Sequence, residues 1–106
     1  MIRDNIKPGD YVYNWRYQAY IKVVDVVNDP TKYKDGKFIV CSIPQFQGGS
    51  RCYNMSGRLI EYIFNQTDYM HEASADYHVF NDLDDYYNFV KRTTNTPVQE
   101  TTISKE

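Results

Sequence analysis

The sequence predicts a mainly β domain: a small barrel or highly curved five-stranded antiparallel sheet, followed by one C-terminal helix. Three observations carry this. Residues 10–28 are dominated by aromatic and β-branched side chains, which suit a pleated, half-buried surface. Short apolar runs then alternate with turns containing Gly, Pro or Asp, the spacing of an antiparallel meander. Last, Leu83, Tyr86, Tyr87 and Val90 repeat with the helical period.

Lys7-Pro8-Gly9-Asp10 is a turn, in which Pro fixes φ and Gly supplies freedom. In the strand that follows, Tyr11, Tyr13 and Trp15 share one face, and Val12, Asn14 and Arg16 share the other. Arg16-Tyr17-Gln18 has the length of a hairpin connection. From Tyr20 to Val27 only Lys22 and Asp25 are polar, as in a strand covered on both faces at the centre of a sheet or at a barrel corner. Asp29-Pro30 and Asp35-Gly36 mark residues 28–37 as a loop. Strand three runs from Phe38 to Ile43 and stops at Pro44. After a turn at 45–50, Arg51 to Met55 is strand four. Residues 58–64 fit a strand or a short helical turn, with a strand from near Leu59 preferred. Residues 65–76 read as a long polar connection, and 77–80 as a short strand.

Asn81 or Asp82 caps a helix over 82–92. Asp84 and Asp85 in its first turn and Lys91 and Arg92 in its last match the helix dipole. Its apolar stripe is expected to cover the open end of the barrel. The expected core is Val12, Ile21, Val23, Val24, Val26, Phe38, Val40, Leu59, Ile63, Val79, Leu83, Tyr87 and Val90. One domain thus spans 1–92, and the Thr-rich segment 93–106 is expected to be a flexible tail.

Ile6-Lys7-Pro8-Gly9-Asp10-Tyr11-Val12, followed by the long strand Tyr20-Ile21-Lys22-Val23-Val24-Asp25-Val26, resembles the opening of SH3-like small β-barrels of the Tudor and KOW kinds. In that family a Gly-Asp turn enters strand one, and a longer, bent strand two carries most of the core. The resemblance covers the first half of the chain. It implies an SH3-like barrel, and its Tudor side implies an aromatic cage for a methylated cation as one use of the rings.

The chain has 106 residues, enough for one domain with a core of its own. It has 11 Tyr and 5 Phe, whereas Leu59 and Leu83 are its leucines. So many tyrosines place several at the surface, where they serve as binding anchors. The bias towards Tyr, Asn, Ile and Lys fits AT-rich codons, as in an AT-rich phage or its host. The net charge of −2 hides a split. Residues 1–60 carry nine Lys or Arg against five Asp, which is +4. Residues 61–106 carry three against nine acids, which is −6, and no Lys or Arg lies between Arg58 and Lys91. There is no signal-peptide pattern and no apolar run of membrane-spanning length. With two cysteines, a cytoplasmic protein without membrane contact is expected. A symmetric hairpin centred on Phe46-Gln47 would set Cys41 opposite Cys52, and a reducing compartment would keep both as buried thiols.

No catalytic set is visible, so no enzyme is expected, and no cofactor or metal. His71 and His78 sit in no nucleophile or zinc pattern. Helix capping explains Asp82, Asp84 and Asp85 without calcium, and Gly48-Gly49-Ser50-Arg51 reads as a turn. The leading reading is a non-enzymatic protein-interaction module, a phage-type inhibitor or adaptor. Its partner would be a protein with a basic surface, met through Asp68, Tyr69, Glu72, Asp76, Asp84 and Asp85, with Phe46 as an apolar anchor. The alternative is nucleic-acid binding, to a single strand or a nucleotide, through Trp15, Arg16, Tyr17, Lys32, Tyr33 and Lys34. There bases would stack on rings and cations hold phosphates.

Overall fold

Gly9 and Asp10 set the entry into the sheet. Gly9 has φ +97°, which suits glycine. The Asp10 carboxylate accepts the Lys7 backbone N–H at 3.1 Å and the Lys7 Nζ at 3.0 Å, which closes the turn. These bonds from Lys7 hold the Asp10 carboxyl below the usual carboxylate range. The computed structural model describes residues 1–47, 49–63, 69–74 and 77–94. After the turn come β1 (Tyr11–Asn14) and β2 (Ala19–Asn28), paired with Tyr11 opposite Lys22 and Asn14 opposite Ala19. Alternation then sorts the faces: Val12 and Ile21 enter the main core, while Tyr11 and Tyr20 are exposed.

The remaining strands are β3 (Lys37–Ile43), β4 (Gly49–Asn54), β5 (Leu59–Ile63), β6 (Tyr69–Ser74) and β7 (Val79–Phe80). They form one curled antiparallel sheet of seven strands, a half-barrel, in the order β6-β5-β4-β3-β2-β1-β7. The mainly β class is thus the observed one, with two strands more than the five expected. β6 lies inside the segment read as a polar connection, and β5 is a strand, as preferred. The first six strands are a meander, while β7 returns to the outer edge of β1, with Phe80 opposite Tyr13.

The curl is closed by backbone rather than by a further strand. Val79 donates its N–H to the Gly57 carbonyl at 2.5 Å, tying β7 to the β4–β5 turn. Gly57 has φ +93°, and a Cβ there would overlap the Val79 carbonyl oxygen. The N-terminal segment completes the closure. Ile2 donates its N–H to the Met55 carbonyl at 2.9 Å. The Asn81 side chain holds both neighbours of Ile2, accepting the Arg3 N–H and donating to the Met1 carbonyl, each at 2.9 Å. Ile2 and Ile6 are thereby buried in the main core with Val12, Ile21, Val23, Ile39, Cys41, Ile43, Tyr53, Leu59 and Val79.

Three expectations are corrected. Val24 is exposed, because the β2–β3 register shifts between Val23 and Asp25; the bulge turns Val24 outward and brings Val26 against the core. Cys41 and Cys52 are not opposite one another. The connection between Ile43 and Gly49 has five residues, with a 3-10 turn at Pro44–Phe46 and Gln47 at φ 56°. This moves the register by one: Cys41 faces Arg51, and Val40 faces Cys52. A one-residue slip reverses faces, so Cys41 joins the main core while Cys52 packs with Tyr33, Phe38 and Ile60 on the other side. Both cysteines are free.

The third correction concerns the helix α1 (Leu83–Thr94). Asp82 caps it, accepting the Asp85 N–H at 2.9 Å. It does not cover the open end, whose place is taken by Ile2 and Ile6. Instead it lies on aromatic side chains of β7 and β1, with Tyr86 5.7 Å from Tyr13 and Phe89 5.2 Å from Phe80, ring centre to ring centre. The buried stripe is therefore rotated: Phe89 points in, and Tyr87 points out. The helix also runs further than expected: Thr93 and Thr94, read as the start of the flexible tail 93–106, are its last residues. The side chain of the expected core residue Ile63 and the rest of the expected tail, residues 95–106, lie outside the described residues.

Candidate functional site

Alternation in β1 and the rotation of α1 together create a row of tyrosines on the outer face. Tyr20 meets Tyr13 edge-on at 5.3 Å, Tyr13 meets Tyr86 at 5.7 Å, and Tyr86 meets Tyr87 at 5.4 Å. Beneath them, Phe80, Phe89, His78 and Trp15 continue the contacts into the aromatic layer between sheet and helix. The ends of the row are open: Tyr20 is 49% exposed, Tyr87 58%, and Tyr11, beside them on β1, 55%. The Tyr20 hydroxyl also accepts the Leu83 N–H at 3.2 Å. That bond places a surface tyrosine on the first turn of α1, where Asp82 and Asp84 are exposed. Tyr13, at the centre, has its phenol pushed up, chiefly by burial and then by the neighbouring tyrosines.

The acidic residues expected to act together divide into different settings. Asp84 and Asp85 sit beside this row. Glu72 is exposed on β6, but its Oε2 accepts a hydrogen bond from Asn54 Nδ2 at 2.8 Å, so it helps to hold the β4–β5 turn. The same amide donates to the Tyr33 hydroxyl at 3.1 Å, and its oxygen accepts the N–H groups of Ser56 and Arg58. Asp68 and Asp76 lie outside the described residues, as do the side chains of Tyr69 and Phe46.

The six residues of the nucleic-acid reading fall at opposite ends of β2. Trp15, Arg16 and Tyr17 lie in the β1–β2 turn, and Lys32, Tyr33 and Lys34 in the β2–β3 loop. A ten-residue strand separates them by about 30 Å. Tyr33 is buried, 3% exposed, against Phe38 and Ile60, so its ring offers no stacking surface. The hairpin end gains residues that sequence alone did not assign to it. The Arg16 guanidinium lies 5.1 Å over the Tyr77 ring, and Tyr17 meets the same ring at 6.1 Å. Arg51, opposite inward-facing Cys41, points to the concave side beside Tyr53. Tyr53 is anchored there by Asn14 Nδ2, which donates to its hydroxyl at 3.1 Å, and Asn14 Oδ1 in turn accepts the Tyr17 N–H at 3.0 Å. Burial pushes the Tyr17 phenol up, the nearby Tyr77 adds to this, and Arg51 and Arg16 oppose it.

Among the described residues, β4 and β5 pair at Cys52–Ile60 and Tyr53–Leu59, next to the Asn54 N–H bond to the Arg58 carbonyl. Where they part, Ser50, Arg51, Cys52, Ile60 and Glu61 line a cleft of ≈ 140 Å³. Burial pushes the Cys52 thiol up to about 11 and raises that of Cys41 as well, which leaves both as protonated thiols at neutral pH. Among the described residues no three His, Cys, Asp or Glu side chains converge as a metal site would require, and no helix is long and apolar enough to cross a membrane.

Compared with known proteins, the chain matches no family model, no curated protein and no solved structure.

Alternation could have found the tyrosine row in part, since it placed Tyr11 and Tyr13 on one face. The contribution of α1 was hidden because Tyr86, Tyr87 and Phe89 all satisfy helical spacing. Arg51 and Tyr77 carried no local signal; they reach the hairpin end only through the curl of the sheet.

Proposed function

We propose that this protein is a non-enzymatic interaction module that binds another protein through the tyrosine row Tyr11–Tyr20–Tyr87 and the acidic first turn of α1. One observation carries the reading: the Tyr20 hydroxyl bonds to the Leu83 N–H at 3.2 Å, which joins the exposed rings to Asp82 and Asp84 on one surface. Tyrosines supply rigid contact area with few rotatable bonds, and central aromatic side chains dominate interface energies. The carboxylates steer a basic surface towards the helix end of the row. Lys22, opposite Tyr11 in the register, marks the other end with the opposite sign and so orients the partner. The small-barrel resemblance fits this reading, since a rigid curled sheet presents the rings without ordering cost. In a cell the module would act in the cytoplasm as an inhibitor or adaptor of the phage type, covering a basic surface that otherwise holds DNA.

The test is affinity capture with the wild-type chain and with Tyr87→Ser/Asp84→Lys, both exposed positions. The expected result is a partner retained by wild type and lost with the double variant, while circular dichroism is unchanged. Asp35→Lys, in the β2–β3 loop, should retain it. A partner held equally by all three chains overturns the reading.

A further inference from the structure

We infer that the tyrosine row is covered by a second copy of this chain, in a two-fold dimer that sets Lys22 of each copy against Asp84 of the other. The inference rests on the row being an interface, as proposed above, and names what occupies it until another protein displaces it.

Apolar surface comes first. Among the described residues, the exposed large apolar side chains are Met1, Tyr11, Tyr20, Val24 and Tyr87, and all but Met1 belong to the outer face of β1, β2 and α1. Shape is the second observation. α1 rests on Tyr13 and Phe80, so it stands above the sheet along β1 and β7. Next to it the outer face of β2 carries Tyr20, Lys22 and Val24, all exposed. Helix and bare strand thus form a step, and the bond between the Tyr20 hydroxyl and the Leu83 N–H lies at its foot. Two such steps interlock across a two-fold axis near Tyr20. The α1 ridge of each copy then lies on the β2 floor of the other.

Charge fixes the pairing. Lys22 lies two residues beyond Tyr20 on the same face of β2. Asp84 follows Leu83 on the helix side of Tyr20. Both are exposed, and among the described residues neither has an ion pair or a side-chain hydrogen bond. A surface with its cation at one end and its anion at the other is complementary to itself after half a turn, which is the condition of an isologous interface. The same rotation brings Tyr11, opposite Lys22 in the register, to Tyr87, three residues beyond Asp84 on the same side of α1. Tyr20 meets its own copy at the axis. The result is an aromatic centre within a charged rim. Lys22 calls for an acid from whatever covers the row, and a second copy supplies one in Asp84.

Sedimentation equilibrium of the whole chain should show a monomer–dimer equilibrium that stops at the dimer and weakens as salt rises. Lys22→Glu alone and Asp84→Lys alone should each weaken the dimer about tenfold or more, since each sets like charges together twice. Mixed in equal amounts, the two variants should associate as strongly as wild type, because both pairs are then opposite in sign. The double variant Lys22→Glu/Asp84→Lys should dimerise by itself for the same reason. Circular dichroism should be unchanged in all of them. The inference is overturned by a chain that stays monomeric, by association that grows past the dimer, by a dimer unaffected in both single variants, or by folded single variants that do not recover it when mixed. A monomeric chain whose partner capture is still lost through Tyr87→Ser/Asp84→Lys keeps the proposed function and removes only the second copy. A dimer recovered by mixing, with capture untouched by that variant, keeps the inference and overturns the proposed function.

Discussion

Val79 and Gly57 are in backbone contact: the Val79 N–H bonds to the Gly57 carbonyl at 2.5 Å, and the Val79 carbonyl fills the space a Gly57 side chain would need. The return of β7 to the β4–β5 turn therefore requires glycine twice, for its positive φ and for its missing Cβ. Gly57→Ala is expected to cost about 3 kcal/mol or more. Gly9 is the control, with φ +97° but nothing within 4 Å of the point where a Cβ would stand. Gly9→Ala should cost about 1 kcal/mol, from backbone strain alone. Urea unfolding of both variants checks this; equal losses would mean that the Gly57–Val79 approach does not hold the curl.

Asn14 and Tyr53 form a polar pair inside the core. Both are fully buried, and the phenol is the partner of the Asn14 amide. Tyr53→Phe keeps the ring but leaves an unpaired donor, which should cost about 1–3 kcal/mol. On the outer side, Asn54→Ala removes four hydrogen bonds at once and should cost at least as much. Thermal melts of the two variants, compared with Glu72→Gln, which keeps an acceptor for Asn54, should rank the last as mildest.

The N-terminal segment tests whether the core reaches residue 2. Ile2→Ala and Ile6→Ala should each cost about 2–4 kcal/mol, as expected for buried isoleucines. Arg3→Ala should stay within about 0.5 kcal/mol, because its side chain is 45% exposed and its ion pair with Asp10 spans 3.7 Å. Denaturation midpoints decide it.

The thiols give stability a dependence on alkaline pH. Folding favours the neutral form of Cys52, whose pKa rises from about 8.5 when unfolded to about 11. Its contribution is fully present below pH 8.5 and is lost as the pH climbs through that window, by at most about 1.4 kcal/mol per pH unit. Cys52→Ser should flatten the alkaline fall in stability measured between pH 8 and 10. Alkylation at pH 8 should be slow for both cysteines in the folded chain and fast in urea.

The mainly β class and the capped helix were legible because they rest on local signals: alternation in β1, Gly and Pro at turns, and Asp82 before an apolar repeat. What failed depended on single-residue register. The bulge at Val24 and the five-residue β3–β4 connection each reverse faces, and periodicity counted from either side cannot detect one added residue. The helix stripe failed for another reason. With aromatic side chains at 86, 87 and 89, two stripes were available, and the flat surface of Tyr13 and Phe80 selected the one containing Phe89. The candidate surfaces were legible as composition, surplus tyrosines and a charge split, but not as places.

The closure between Ile2, Met55 and Asn81 bears on the order in which the chain is made. β1 leaves the ribosome first, yet its outer neighbour is β7, more than sixty residues later. Until residue 81 is free, the edge of β1 stays open and the aromatic layer around Tyr13 has no cover. Such long-range pairing slows folding and prolongs exposure of sticky surface during synthesis. A chain stopped before Val79 should therefore be recovered as aggregate, while one stopped after Thr94 should be recovered folded.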